Sequence, residues 1–188
     1  MMAWEQETAA LIRQDNLRMR CLKAARSLML PDWFIGAGFL RNAIWDHLHQ
    51  RPDATPLNDV DLVYFDPDDL SLEREQCFEA RLHTLFPEMK WEVRNQARMH
   101  LKHGLTPFQN TTDGISCWVE RQTCVGVRLD SEGQMLFTAP YGLDENWSLH
   151  VSICPRNPRP ALFRDRIRNK QWERVWPRLN VVWPDCVR

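Results

Sequence analysis

No cysteine pair in this sequence has C-x-x-C spacing, although it holds six cysteines, at 21, 77, 117, 124, 154 and 186. The spacing therefore suggests neither a zinc site nor a disulfide framework, and scattered reduced thiols are expected. No uninterrupted apolar run approaches the roughly 18 residues that a membrane crossing needs. The opening MMAWEQETAALIRQ carries Glu5 and Glu7 where a secretory leader would be basic. These observations predict a cytoplasmic protein with no membrane partner. Glycine is scarce, at 7 of 188 residues, which argues against a low-complexity or collagen-like chain. An excess of one charge is also lacking, because 24 Lys plus Arg meet 25 Asp plus Glu for a net charge of -1. Any polyanionic partner must therefore be held by a local patch.

What is present fits an ordinary folded chain, with 44% hydrophobic residues and a length suited to one domain over 1–188. The expected organisation is opening helices over 1–30, a core over 31–154 and a basic C-terminal segment over 155–188 packed on that core. Residues 3 to about 29 show helical spacing of apolar residues without Gly or Pro. Trp33-Phe34-Ile35 then runs into Gly36-Ala37-Gly38, and Leu40, Ile44, Trp45 and Leu48 mark a helix face, giving strand, glycine turn, helix. After a loop over 51–58, residues 59–65 read as a buried strand. Asp66-Pro67-Asp68-Asp69 offers caps for a helix to about Phe86 with Phe78, Leu82 and Leu85 inward. Residues 91–94 alternate as a strand, 107–114 are rich in turn formers, and 124–129 with 134–139 suggest a hairpin. A further strand is expected near 147–154. The predicted fold class is α/β leaning to α+β, a mixed β-sheet with flanking helices.

The chemistry is concentrated at Asp59 and Asp61. Side chains two apart on a strand leave from the same face about 6.6 Å apart. Two carboxylates on a partly desolvated surface are offset by a shared proton, by arginines or by a cation. Oxygen donors of this kind suit Mg2+ or Mn2+. The bland alternative puts both acids on a solvated edge. Glu92, in the apolar-acid-apolar triplet Trp91-Glu92-Val93, is a candidate third carboxylate, or else a surface residue paired with Arg94. Gly36 and Gly38 can bring backbone amides close to a phosphate at a helix start, or simply make a tight joint. Arg41 and Asn42, on the first turn of that helix, are candidate phosphate and ribose contacts, with Arg41 expected on a side free to reach a phosphate.

These residues resemble a family. Ala37-Gly38-Phe39-Leu40-Arg41-Asn42 followed by Asn58-Asp59-Val60-Asp61-Leu62 is similar to the glycine turn, arginine and D-x-D of the polymerase-beta nucleotidyltransferase superfamily, with the nearest analogues of the turn in tRNA CCA-adding enzymes and poly(A) polymerases. GAGFLRNAIWD, NDVDLVYFD, WEVRNQARMH, GVRL and APYGL, in this order over roughly residues 30 to 180, resemble a group of small bacterial nucleotidyltransferase-like proteins. The resemblance implies a polymerase-beta-like core in which Gly36 and Gly38 form the phosphate turn. It also implies Asp59 and Asp61 as metal ligands and Glu92 as the third carboxylate. The position that many members fill with serine is Phe39 here, so the turn lacks that hydroxyl.

Arg94, Asn95, Gln96 and Arg98 follow Glu92 closely and are candidates for the same cleft, or for a polar strand edge. His100 and His103 lack a third ligand at metal-binding spacing. From Arg156 to Arg178, eight basic residues stand against two acids, with Trp172 and Trp176 four apart. Such a segment either grips RNA or docks its tryptophans on the core with its arginines solvated, and docking is favoured. The expected function is transfer of a nucleoside monophosphate from a nucleoside triphosphate to an acceptor hydroxyl on a small molecule, RNA or protein. The alternatives are a non-catalytic nucleotide-binding module, for which Phe39 is the warning, and an RNA-binding protein using the basic segment.

Overall fold

Two helices, α1 (Ala3–Gln14) and α2 (Asn16–Arg26), open the chain in the computed structural model, which describes residues 3–184. Asp15 divides them because its carboxylate caps α2, accepting from the Arg18 amide at 3.0 Å. Arg18 is buried, pairs with Asp15 and donates from Nε to the Phe39 carbonyl at 2.8 Å, which ties α2 to the helix that begins at Gly38. The chain then builds β1 (Phe34–Gly36), α3 (Gly38–Leu48), β2 (Val60–Tyr64), α4 (Leu72–Leu85), β3 (Trp91–Asn95) and α5 (Gln96–His103). After α6 (Thr111–Ile115) come β4 (Gly126–Leu129), β5 (Met135–Thr138), α7 (Asp144–Trp147) and β6 (His150–Ser152). The last described elements are α8 (Pro160–Lys170), α9 (Trp172–Val175) and β7 (Asn180–Val182).

The main sheet has the order β3-β2-β1-β4-β5, with β2 and β3 parallel and the other neighbours antiparallel. It is the mixed sheet with flanking helices that the sequence predicts. One face carries the core, where Ile35, Leu62, Val93 and Val127 meet Leu22, Leu40, Ile44 and Leu82 from the helices. The other face is thinly covered, by a small cluster of Phe34, Val63 and Ile115 with Trp118 beside it. That leaves the end of this face open for polar groups. The expected hairpin forms between β4 and β5, closed by Asp130, whose carboxylate accepts from the amides of Glu132 and Gln134 while Gly133 takes φ +81°.

Several expectations are corrected. The fourth helix begins at Leu72 rather than directly after Asp69, because Asp69 accepts from both the amide and the hydroxyl of Ser71 in the turn before it. Leu85 is exposed, and Phe86 at the helix end turns into the core in its place. The strand near 147–154 shortens to β6, since Trp147 ends a helical turn. The basic segment contains α8, α9 and also β7, which pairs in parallel with β6. Its Phe163, Trp172 and Trp176 are buried in the core, so the tryptophans dock as favoured. Cys21, Cys77, Cys117, Cys124 and Cys154 are free, while Cys186 lies outside the described residues. Cys117, Cys124 and Cys154 are not scattered: Cys154 lies against the Ser116 carbonyl and the Tyr141 hydroxyl, and all three are buried in the same region. No helix among the described residues is long and apolar enough to cross a membrane.

Candidate functional site

Strand register brings the three acids to one place. Parallel pairing sets Asp61 directly opposite Glu92, and Asp59 lies two residues before Asp61 at the entrance to β2. Antiparallel pairing of Phe34 with Val63 and Ile35 with Leu62 brings the end of β1, and hence the glycine turn, level with Asp61. Asp59, Asp61 and Glu92 line one cavity of about 320 Å³ together with Gly38, Arg41 and Asn42. Its far wall comes from the C-terminal helices through Arg166, Lys170, Trp172 and Trp176.

The two glycines of the turn have different reasons to be glycine. A Cβ on Gly36 would stand 2.8 Å from the Trp118 ring and 2.9 Å from the Val125 carbonyl, so that position is fixed by packing, and Gly36 does not line the cavity. A Cβ on Gly38 would approach Arg41 Nη2 at 3.3 Å and the Asn42 amide at 3.4 Å, crowding polar groups of the cavity wall. Between them Ala37 takes φ 56° and ψ -127°, a conformation that disfavours a side chain and that α3 inherits as its first turn. No side chain caps this helix start.

Arg41 is not the free arm that its position on the helix suggests. It is buried, donates from Nη1 to Thr123 Oγ1 at 2.9 Å and from Nη2 to Asn42 Oδ1 at 3.1 Å. Its guanidinium lies 4.3 Å from the centre of the Trp172 ring and 5.1 Å from that of Trp45. Burial lowers Arg41 to about 10, with Glu120 as the main opposing influence, so it stays charged at neutral pH. Thr123 in turn donates to Glu120 Oε2 at 2.8 Å, and Glu120 Oε1 accepts from Arg166 Nε at 2.7 Å. Glu120 is completely buried and thus holds two cavity arginines, one directly and one through Thr123. Glu120 and Thr123 lie outside the sequence-based candidates. A lone Glu in Trp118-Val119-Glu120-Arg121 offers no spacing signal, since its partners are 46 and 79 residues away.

Electrostatically the acids are overloaded. Burial first, then Asp59 and Glu92, push Asp61 up to about 6. Glu92 moves the other way, held below the usual carboxylate range mainly by its hydrogen bond from Lys90 Nζ at 2.7 Å. Among the described residues no three His, Cys, Asp or Glu side chains stand close enough together to hold an ion by themselves. The donor set nevertheless fits Mg2+ or Mn2+: two hard carboxylates, one of them destabilised as an anion, beside space for water and phosphate oxygens. Asp59 and Asp61 would hold the ion, with Glu92 across the strand pair.

Other candidates are engaged elsewhere. Arg94 is absent from this cavity; it donates from Nη1 to Glu79 at 2.6 Å and lines a neighbouring hollow. Asn95 is buried and caps α5, also bonding the 66–69 turn, while Arg98 pairs with buried Glu75. His100 packs edge-on to Phe108. Tyr141 donates to the Ser116 carbonyl.

A sheet of this order with a glycine turn and facing carboxylates at one end defines a nucleotidyltransferase head, and a solved NMR structure described as revealing a CCA-adding enzyme head domain superposes with a TM-score of 0.81. That structure is 32% identical, over 95% of this chain and 96% of its own. The sequence profile of a nucleotidyltransferase family matches residues 23–181, and the chain belongs to that family. No curated protein matches it.

Proposed function

We propose that the protein is a Mg2+- or Mn2+-dependent nucleotidyltransferase that moves a nucleoside monophosphate from a nucleoside triphosphate to an acceptor hydroxyl. The observation that carries this reading is one cavity in which Asp59, Asp61 and Glu92 face the uncapped start of α3, Arg41 and Arg166. Acids alone would repel a triphosphate and cations alone would bind any anion; the combination suits a metal-bridged polyphosphate. The resemblance to a CCA-adding enzyme head domain supports the same reaction class.

In this reading the α3 amides after Ala37 and the guanidinium groups of Arg41 and Arg166 neutralise the phosphates, while Trp172 excludes water beside Arg41. The acceptor oxygen forms a bond to the α-phosphorus. The bond from that phosphorus to the bridging oxygen breaks, its electron pair leaves with pyrophosphate, and the hydroxyl proton passes to the Glu92 carboxylate. Bound divalent ions would supply positive charge at the reacting oxygens. The free cysteines suit work in the reducing cytoplasm.

One observation favours a second reading. Phe39, at the position of the turn serine in the superfamily that this sequence resembles, is buried in the core, so no hydroxyl reaches the phosphates there, and the site then suits a nucleotide-binding module without turnover. Incubating the protein with Mg2+, labelled triphosphates and a panel of small-molecule and RNA acceptors separates the two. A transferase releases pyrophosphate with at least one acceptor, whereas retention of intact triphosphate with every acceptor favours the binding module.

A further inference from the structure

A second cavity, of about 330 Å³, adjoins the first and shares Asp61, Thr123 and Arg166 with it. Where the first extends from Asp61 to Asp59 and Glu92, this one follows the same sheet face to Val63 and Arg94 and reaches α5 and the start of α8. We propose that it is the acceptor subsite, and that it takes a small acceptor anchored by a phosphate or comparable anionic group with its hydroxyl presented at Asp61. This rests on the reading of Asp59 and Asp61 as the reacting centre.

Charge is the first argument. Arg94, Lys102, Arg159 and Arg166 line the cavity, and among the described residues Asp61 is its single carboxylate. Arg94 and Arg166 already answer to Glu79 and Glu120, but Arg159 and Lys102 have no carboxylate partner among the described residues. Arg159 reaches only the Cys117 carbonyl, through Nη2 at 3.1 Å, and its Nε is buried with no partner. The Arg159 guanidinium thus keeps donor capacity that the chain itself does not use. His103, between them, is held below its usual range by burial and then by Arg159 and Lys102, so the surplus is positive throughout. Size is the second argument: the volume suits a small molecule. Trp172 and Trp176 are buried and offer no platform for stacking a nucleic acid, and the exposed Trp183 does not line this cavity. During transfer the anionic group is unchanged; the hydroxyl loses its proton to Glu92, which pairs with Asp61 across β2 and β3, and its oxygen gains the bond to the α-phosphorus as the bond to pyrophosphate breaks and pyrophosphate leaves with the electron pair.

The test titrates the full chain with glycerol 3-phosphate and with glycerol, followed by calorimetry and by the His103 imidazole signal in NMR. Glycerol 3-phosphate should bind at least about tenfold more tightly than glycerol and raise the His103 pKa. Arg159→Ala with Lys102→Ala should remove about tenfold in affinity for it and leave binding of a metal-triphosphate unchanged. Lys102→Ala alone, at an exposed position, keeps the test valid if the double variant is unstable. Asp59→Asn with Asp61→Asn should retain the phosphate probe. Equal binding of the charged and neutral probes, or charged binding indifferent to Arg159 and Lys102, overturns the proposal. Retained glycerol 3-phosphate binding in a native protein that binds no metal-triphosphate overturns the acceptor role and leaves an anion site, which marks failure of the reaction centre instead. A short oligoribonucleotide that binds through Arg159 and Lys102 when glycerol 3-phosphate does not overturns the small acceptor in favour of RNA.

Discussion

At the scale of single residues, Asp61 bears the main electrostatic penalty of the site. Its pKa near 6 in the folded chain exceeds the ordinary 3.8, so between those values the unfolded chain binds fewer protons than the folded one. Stability from this group therefore falls as pH rises through that window and is fully spent above it. In metal-free protein, Asp61→Asn should raise the melting temperature by about 2–6 °C at pH 8, with the gain shrinking towards zero near pH 4. A gain independent of pH would place the strain elsewhere. Glu120 is the opposite case, an acid whose burial is answered by Arg166 and Thr123. Glu120→Ala should lose about 3 kcal/mol in urea unfolding, because Arg166 and Arg41 are then left facing each other, and Glu120→Gln should lose less because it still accepts from Thr123.

Among the elements, the C-terminal helices matter most to the site. Trp172 and Trp176 meet Trp45 edge-on at 5.5 and 5.1 Å, and Trp176 Nε1 donates to Asp46 at 2.8 Å. Asp46 also accepts from the amide and hydroxyl of Thr55, at 2.7 and 2.6 Å, so one carboxylate on α3 fixes both the far wall of the cavity and the loop that delivers Asp59. The segment that the sequence marks chiefly by charge thus acts mostly through its aromatic residues. Trp172→Ala should cost about 3–5 kcal/mol of stability and weaken triphosphate binding through Arg41, while Trp172→Phe should retain most of both. Unchanged triphosphate affinity in a folded Trp172→Ala protein would separate this wall from the site.

On the scale of the whole molecule, what is legible in the sequence depends on how local its physical cause is. The glycine turn between strand and helix, the D-x-D pair and Glu92 are each written in fewer than a dozen residues, and strand periodicity alone suffices to aim Asp59 and Asp61 at the same side. Their register across β2 and β3 is not local, and neither is the Glu120-Thr123-Arg41 chain, which joins residues 82 apart. Helical spacing presents Arg41 as free, since periodicity on α3 cannot see that α9 returns to cover it. β7 is invisible to pattern reading because three residues beside a single partner strand leave almost no periodicity. Gly36 and Gly38 look alike in the sequence, and only the approach of Trp118 separates a packing glycine from one at the cavity.

The central claim is that divalent ions bridged to a polyphosphate relieve the crowding of Asp59 and Asp61. Equilibrium dialysis of labelled, non-hydrolysable nucleoside triphosphates, with and without Mn2+, tests it directly in the native protein and in Asp59→Asn with Asp61→Asn. Binding should require Mn2+ and fall by about a hundredfold or more in the double variant, its fold being checked by NMR in the same experiment. Triphosphate binding that ignores Mn2+, or that survives unchanged without the two carboxylates, would contradict it.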